Sequence, residues 1–412
     1  MISKIKRLIF SDTSKDTLVS LVGNGLVALS GTLFTILVAR GMTPPQFGTL
    51  SALLALAFLL SSLGDLGISS ALINFIPKLK SERNTIVSLS FVVQSAVAII
   101  LIIVFYIGSF WHEVLVPGST NYLFFITSLV SAFAVISGFA KNLLKAERKF
   151  VYASIIQVLE SVVKLIPVGI LYFYFSLSIN DVLLSVLSAI ILASIFALYK
   201  EFKNITIVFP KYYFKKIFHF TKWVAIMRGF SVAISRVDVI LLNALGTNHQ
   251  AGIYAAASRI TMLFALLVSS LGSVVAPRFS SFNKRKQVTS YIKKISLLIG
   301  GVSILMVLSI LLSPLIVNTV FGSQYAAAIP VFRYLTLAMI PFLLSIITTN
   351  PLIYFFNKPN FTALATAIQV GLLVVIEVIL IPTMGPMAPT IALAVSNTVV
   401  LILTGWKLKK LL

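Results

Sequence analysis

Val38-Ala39-Arg40-Gly41-Met42-Thr43-Pro44-Pro45-Gln46-Phe47-Gly48 joins two apolar runs, 17–39 and 47–77. Gly41 and the Pro44-Pro45 pair stop one helix and restart the next, because proline fixes φ and lacks an amide donor. The turn carries a single charge, Arg40. The next gap, Lys78-Leu79-Lys80-Ser81-Glu82-Arg83, carries three cations and one acid. This alternation of nearly uncharged and basic gaps continues to the end of the chain.

A helix that crosses a bilayer needs about 20 mostly apolar residues. Twelve such spans can be drawn: 17–39, 47–77, 85–110, 121–141, 151–175, 181–200, 217–245, 250–277, 292–317, 327–356, 361–381 and 386–406. They are continuously apolar, whereas a barrel needs alternating segments of roughly ten residues. The fold class is therefore an all-α integral membrane protein with 12 transmembrane helices. Charged residues make up 11% of the chain and mean hydropathy is +1.04, which leaves no room for a soluble domain.

The net charge of +22 raises the question of nucleic acid. Of the 33 Lys and Arg, 27 fall in every second gap, together with five acids, a balance of +22. The opposite gaps hold Arg40, Glu113 and Asp181, a balance of −1. The basicity follows the positive-inside rule, so the basic gaps and both termini are expected to be cytoplasmic. A nucleic-acid surface would gather its cations on one folded face instead. Cysteine is absent, which excludes disulfides and cysteine-based metal or redox centres. The N-terminus lacks a short apolar core with an A-x-A-like site, so the first span is expected to remain as a helix. Gly is never followed by Lys, so no phosphate-binding P-loop exists and no ATPase is expected. His112, His219 and His249 are scattered over separate segments, so no metal or catalytic triad is expected and no cofactor is implied. Trp111, Trp223 and Trp406 fall near span ends, as an interfacial aromatic belt does.

A weak internal repeat is visible. Gly41 and Gly246, Gly67 and Gly272, and Ala71 and Ala276 are each 205 residues apart, while Gly48 and Gly252 are 204 apart. Gly67/Ala71 and Gly272/Ala276 are small-xxx-small pairs that let helices approach closely. The expected organisation is two six-helix lobes, 1–205 and 206–412. An even number of helices per half makes them parallel repeats, as in alternating-access transporters.

Charge inside a bilayer is costly and is usually kept for function. Nine charged residues fall inside the spans: Asp65, Glu160, Lys164, Arg228, Arg236, Asp238, Arg259, Arg333 and Glu377. Glu160 and Lys164, at i and i+4, can neutralise each other or line a polar cavity. Arg236 and Asp238, at i and i+2, point to different faces, so each needs another partner, and Asp65 is one candidate for Arg236. Asp65 sits in Ser61-Ser62-Leu63-Gly64-Asp65-Leu66-Gly67, whose small polar residues suit a hydrated, protein-facing surface. Arg228 lies near enough to a span end to snorkel. Arg259 is too deep for that. Arg333 and Glu377 lie nearer the outer ends and read as structural. Arginine meets phosphate with a two-pronged fork, so a diphosphate headgroup suits Arg228, Arg236 and Arg259.

The turn at Val38–Gly48, Leu63-Gly64-Asp65-Leu66-Gly67-Ile68, Ile234-Ser235-Arg236-Val237-Asp238-Val239-Ile240-Leu241-Leu242 and Ala251-Gly252-Ile253-Tyr254-Ala255-Ala256-Ala257 occur in this order. Together they resemble the polysaccharide (O-antigen type) flippases of the multidrug/oligosaccharidyl-lipid/polysaccharide exporter superfamily. The resemblance implies a V-shaped, MATE-like pair of six-helix bundles in the plasma (cell inner) membrane. It implies transfer of a polyprenyl-diphosphate-linked oligosaccharide from the inner to the outer leaflet. Its implied partners are that lipid-linked oligosaccharide, membrane lipids and other polysaccharide assembly proteins, with no nucleic acid. Asp65, Arg236 and Asp238 match motif positions and carry a cavity-lining role. Arg228, Arg259, Glu160 and Lys164 join them on depth alone. Asp65, Asp238 and Glu160 are the candidates for binding H⁺ or Na⁺ in ion coupling. The related lipid II flippase branch usually has 14 helices, which the 12 spans argue against. A multidrug exporter of the same superfamily is the alternative, though it would favour aromatic and acidic cavity residues. A polysaccharide polymerase or ligase would carry a large outer loop, and the outer gaps are short.

Overall fold

The computed structural model describes residues 12–201, 217, 221, 225, 232 and 236–412. Its helices are α1 (Asp12–Gly41), α2 (Pro44–Gly64), α3 (Ile68–Phe75), α4 (Arg83–Gly108), α5 (His112–Leu115), α6 (Asn121–Ala146), α7 (Phe150–Tyr174) and α8 (Ile179–Glu201). Then follow α9 (236–245), α10 (Asn248–Ser280), α11 (Arg285–Leu311), α12 (Ser313–Phe321), α13 (Ala328–Tyr354), α14 (Pro359–Met384) and α15 (Ala388–Leu411). No strand occurs among the described residues. Helices are the only open-ended solution in hydrocarbon, because each satisfies its own backbone groups.

Ten stretches among the described residues are long and apolar enough to cross a membrane. The last, Pro359–Leu411, holds two of the expected spans, α14 and α15, separated by the turn Gly385–Met387. The seventh expected span, 217–245, lies mostly outside the described residues. Its end is α9.

Two expected spans are interrupted. The second breaks between α2 and α3, where Leu66 and Gly67 take left-handed φ values of 48° and 74°. Glycine adopts this region freely, whereas leucine does so at a cost. The ninth breaks at Leu312, and Pro314 opens α12.

The chain separates into two compact units. One comprises Met1–Met42 and Leu53–Val232, the other Thr43–Ala52 and Ala233–Leu412. In the first unit α6 packs against α3, α4 and α8, and α7 packs against α1 and α8. Leu72, Val87 and Leu143 are fully buried there. Ser131 Oγ on α6 donates to the Ala57 carbonyl on α2 at 3.0 Å. In the second unit α13 is central, packed by α10, α11 and α15, with α14 against α15. Asn397 Nδ2 on α15 donates to the Ala338 carbonyl on α13 at 2.9 Å. Small and amide side chains thus bond helices inside each unit, while Phe173 and Leu297 are 72% and 83% exposed to the apolar solvent.

The repeat glycines do unequal work. A Cβ on Gly67 would lie 2.9 Å from the Thr221 carbonyl, so close approach is realised there. Around Gly272 no described atom lies within 4 Å of that position. The tightest approach joins Gly48 of α2 to Gly252 of α10, both in the second unit. A Cβ on Gly48 would lie 1.9 Å from the Asn248 carbonyl, and one on Gly252 would lie 1.9 Å from the Pro44 carbonyl.

Candidate functional site

In the second unit, α9 carries Arg236 and Asp238 two residues apart, on different faces of the helix. Helix α10 brings Tyr254 and Arg259, and α14 brings Glu377. Tyr254 is 1% exposed and its hydroxyl donates a short hydrogen bond to Asp238 Oδ2. The other oxygen, Oδ1, accepts from the Val239 amide at 2.9 Å. Glu377 is 0% exposed, and neither of its carboxyl oxygens has a hydrogen-bond partner. Asp238, Tyr254 and Glu377 are close enough to interact electrostatically. Arg236 interacts in the same way with Asp238, and Arg259 with Arg236.

This arrangement has a definite chemical capacity. Two carboxyls and a phenol are packed among apolar helices, and one carboxyl lacks any donor. A buried carboxylate in that position needs a proton or a cation to offset its lost hydration. Arg236 interacts with Asp238 and Arg259 lies near Arg236, and a guanidinium can meet an anion with two-pronged geometry. Among the described residues no three His, Asp or Glu side chains converge as a metal cluster.

The first unit treats its charges differently. Asp65 lies at the α2–α3 break, where its Oδ1 accepts from the Ser69 amide at 3.3 Å and from the Ser69 hydroxyl. Asn142 Nδ2 on α6 donates to that hydroxyl oxygen at 2.7 Å. Gln94 Nε2 on α4 donates to the Asp65 carbonyl at 3.0 Å. Asp65 thus ties three helices at a break in one of them. Glu160 accepts from Lys141 Nζ at 2.7 Å and from Ser137 Oγ at 3.4 Å, so its ion pair crosses from α7 to α6. The expected local pair with Lys164 is not the one formed, and Lys164 Nζ stands 5.2 Å from the Phe34 ring centroid. Lys141, counted by its gap as a topology marker, is that structural partner.

Of the remaining candidates, Arg228 lies outside the described residues. Arg333 Nε donates to Ser313 Oγ at 2.6 Å and joins α13 to α12, the structural role expected of it. Glu377 was expected to be structural as well, and its empty hydrogen-bond shell speaks against that. Tyr254 was quoted only as part of a motif. One signal could have raised both. Asp238 and Glu377 are the only acids in residues 206–412, and Tyr254 stands on the next helix among small apolar residues.

Comparison with known proteins places this geometry in a lineage. A family profile described as "Polysaccharide biosynthesis protein" matches residues 13–283. No protein of curated function matches the chain in sequence. Among solved structures, the chain is similar to the lipid II flippase MurJ in an inward closed conformation. That match has a TM-score of 0.76 and 17% identity over 95% of this chain and 87% of MurJ. A multidrug resistance MATE family transporter of the MOP superfamily, inward-facing, gives a TM-score of 0.73 and 16% identity over 95% and 98% of the two chains. A MOP superfamily transporter from Pyrococcus furiosus gives 0.64 and 16% over 98% and 97%. At these identities the likeness is one of fold.

Proposed function

Since the chain belongs to the polysaccharide biosynthesis protein family and has the fold of MOP superfamily transporters, we propose that it is a lipid-linked oligosaccharide flippase. It moves a polyprenyl-diphosphate-linked oligosaccharide from the inner to the outer leaflet of the plasma membrane, for a surface polysaccharide of the O-antigen, capsule or exopolysaccharide kind. Twelve helices cross the membrane, as two six-helix lobes with both termini and the basic gaps on the cytoplasmic side.

The physical problem is the headgroup. A diphosphate and its sugars lose strong hydration in hydrocarbon, at a cost that forbids spontaneous crossing. A cavity that presents guanidiniums lowers that cost, while the polyprenyl chain stays in lipid. The observation that carries the reading is Arg236 interacting with Asp238, which Tyr254 bonds and which lies near the fully buried Glu377, with Arg259 close to Arg236. An organic-cation exporter is disfavoured by those two guanidiniums.

Alternating access exposes the cavity first to one side and then to the other. Ion binding at Asp238 and Glu377 supplies its direction. When a proton or Na⁺ neutralises Asp238, Arg236 is released toward the diphosphate. When the ion leaves, Asp238 reclaims Arg236 and the headgroup is let go. Asp65 and Glu160, the other coupling candidates, already hold Ser69 and Lys141, whereas Glu377 has no hydrogen-bond partner, so Glu377 near Asp238 is the stronger assignment.

The test is flipping of a fluorescent polyprenyl-diphosphate oligosaccharide in proteoliposomes. Transport is expected with the wild-type chain and lost in Arg236→Ala at equal protein level. Transport unchanged by Arg236→Ala rejects the site. Rates that stay the same after both H⁺ and Na⁺ gradients are collapsed reject the coupling. Export of organic cations without any flipping rejects the function.

A further inference from the structure

Helix α10 runs 33 residues, Asn248–Ser280, and α11 begins at Arg285. The hairpin between contains Arg278, Lys284, Arg285, Lys286, Lys293 and Lys294, and no acid.

All six cations are exposed. None makes an ion pair with a described residue. On α11 the exposed positions 285, 286, 289, 290, 293 and 294 form one face at helical spacing. The opposite face buries Val288, Ile295 and Ile299. Beneath the charges, Phe279, Phe282 and Tyr291 stack edge to face with ring centroids 5.3–6.0 Å apart. Gln287 Oε1 accepts from the Asn283 and Lys284 amides at 3.1 Å each and closes the turn. The cations are therefore mounted on a packed hairpin.

The positive-inside rule does not require such a surface. In the first unit the corresponding basic gaps carry their own acids. Glu147 takes both Arg83 and Lys149, the latter at 2.6 Å, and Lys78 Nζ donates to Asn74 Oδ1 at 2.5 Å. The α10–α11 hairpin leaves its counter-charge to something outside the chain.

We propose that the α10–α11 hairpin is a docking surface for anionic phospholipid headgroups of the cytoplasmic leaflet. Its undiluted charge and its packed mounting match a layer of lipid phosphates, and each juxtamembrane cation adds to such attraction. The proposal rests on the membrane orientation given above and not on the identity of the transported substrate.

The chain lacks cysteine, so Ser290→Cys places a single fluorophore on this exposed face. The full-length labelled protein is reconstituted in nanodiscs, with doxyl-labelled phosphatidylglycerol or phosphatidylcholine as quencher. Phosphatidylglycerol is expected to be enriched around the label at least about fivefold, the effect of one juxtamembrane cation. Raising salt should abolish that preference, because exposed charges are screened. Substituting Lys284→Gln, Arg285→Gln, Lys286→Gln, Lys293→Gln and Lys294→Gln together should abolish it also. The salt titration decides if that variant fails to insert. Equal quenching by the two lipids overturns the proposal. So does a preference that survives high salt, or one shown only by a polyprenyl diphosphate. An impermeant thiol reagent on intact cells separates the two failures. Labelling of Ser290→Cys from outside overturns the orientation and the docking together, whereas an internal label with no lipid preference overturns the docking alone.

Discussion

Residues 1–205 carry 15 Lys and Arg against nine Asp and Glu, a balance of +6, while residues 206–412 carry 18 against two, a balance of +16. The two halves also use their acids differently. In the first, Glu160 holds Lys141, Glu147 holds Arg83 and Lys149, and Asp65 bonds Ser69 at a helix break. In the second, half-buried Asp238 accepts from Tyr254, while the fully buried Glu377 has no hydrogen-bond partner. Charge in the first half fastens helices to each other. In the second half, the acids lie together with Tyr254 and Arg236, and one of them is left without a hydrogen-bond partner.

Four substitutions put that contrast under strain. The largest effect is expected for Arg236→Ala, which should lower flipping by about 100-fold or more, as removal of a buried charged partner does. Vesicle flipping and surface polysaccharide level both read it. Glu377→Gln should lower transport about tenfold and erase its ion-gradient dependence. The same change should raise Tm by about 2 °C or more, because it removes a buried, unbonded charge. A fall in Tm would mean that Glu377 is structural and would break the contrast. Glu160→Gln should do the reverse and lower stability by about 1 kcal/mol while transport persists. Denaturation in detergent, alongside the flipping assay, separates the two outcomes. Arg83→Gln should change stability by less than about 1 kcal/mol, since Glu147 keeps Lys149 at 2.6 Å. A larger loss would show that the first half's outlying pairs also matter to its core.

The helical architecture was legible because apolar run length and gap charge report directly on hydrocarbon and on membrane side. The breaks at Leu66–Gly67 and Leu312 were not, since an apolar run looks the same whether or not its backbone reverses for two residues. Depth estimates singled out Arg236, Asp238 and Arg259 and set Glu377 aside, although its buried carboxyl lacks a hydrogen-bond partner. They count residues from a span end and cannot tell whether a side chain meets a donor. Helical spacing suggested Glu160 with Lys164, an interaction worth only a few tenths of a kcal/mol. Lys141, arriving from another helix, displaced it, and no rule of local spacing could reveal that. Arg228 falls outside the described residues, so its role stays with the flipping assay, where Arg228→Ala is the next substitution after Arg236→Ala.

The backbone contact of Gly48 with Gly252 has a consequence for how the two halves of the gene can drift. Each position faces the other's carbonyl neighbourhood at 1.9 Å from where a methyl would stand. Enlarging one residue cannot be compensated by shrinking the other, because neither has anything left to lose. Most helix contacts allow paired exchanges of large for small side chains. Here a codon in the first half and a codon in the second are locked to the same letter of the amino-acid alphabet, however far the rest of the repeat has diverged.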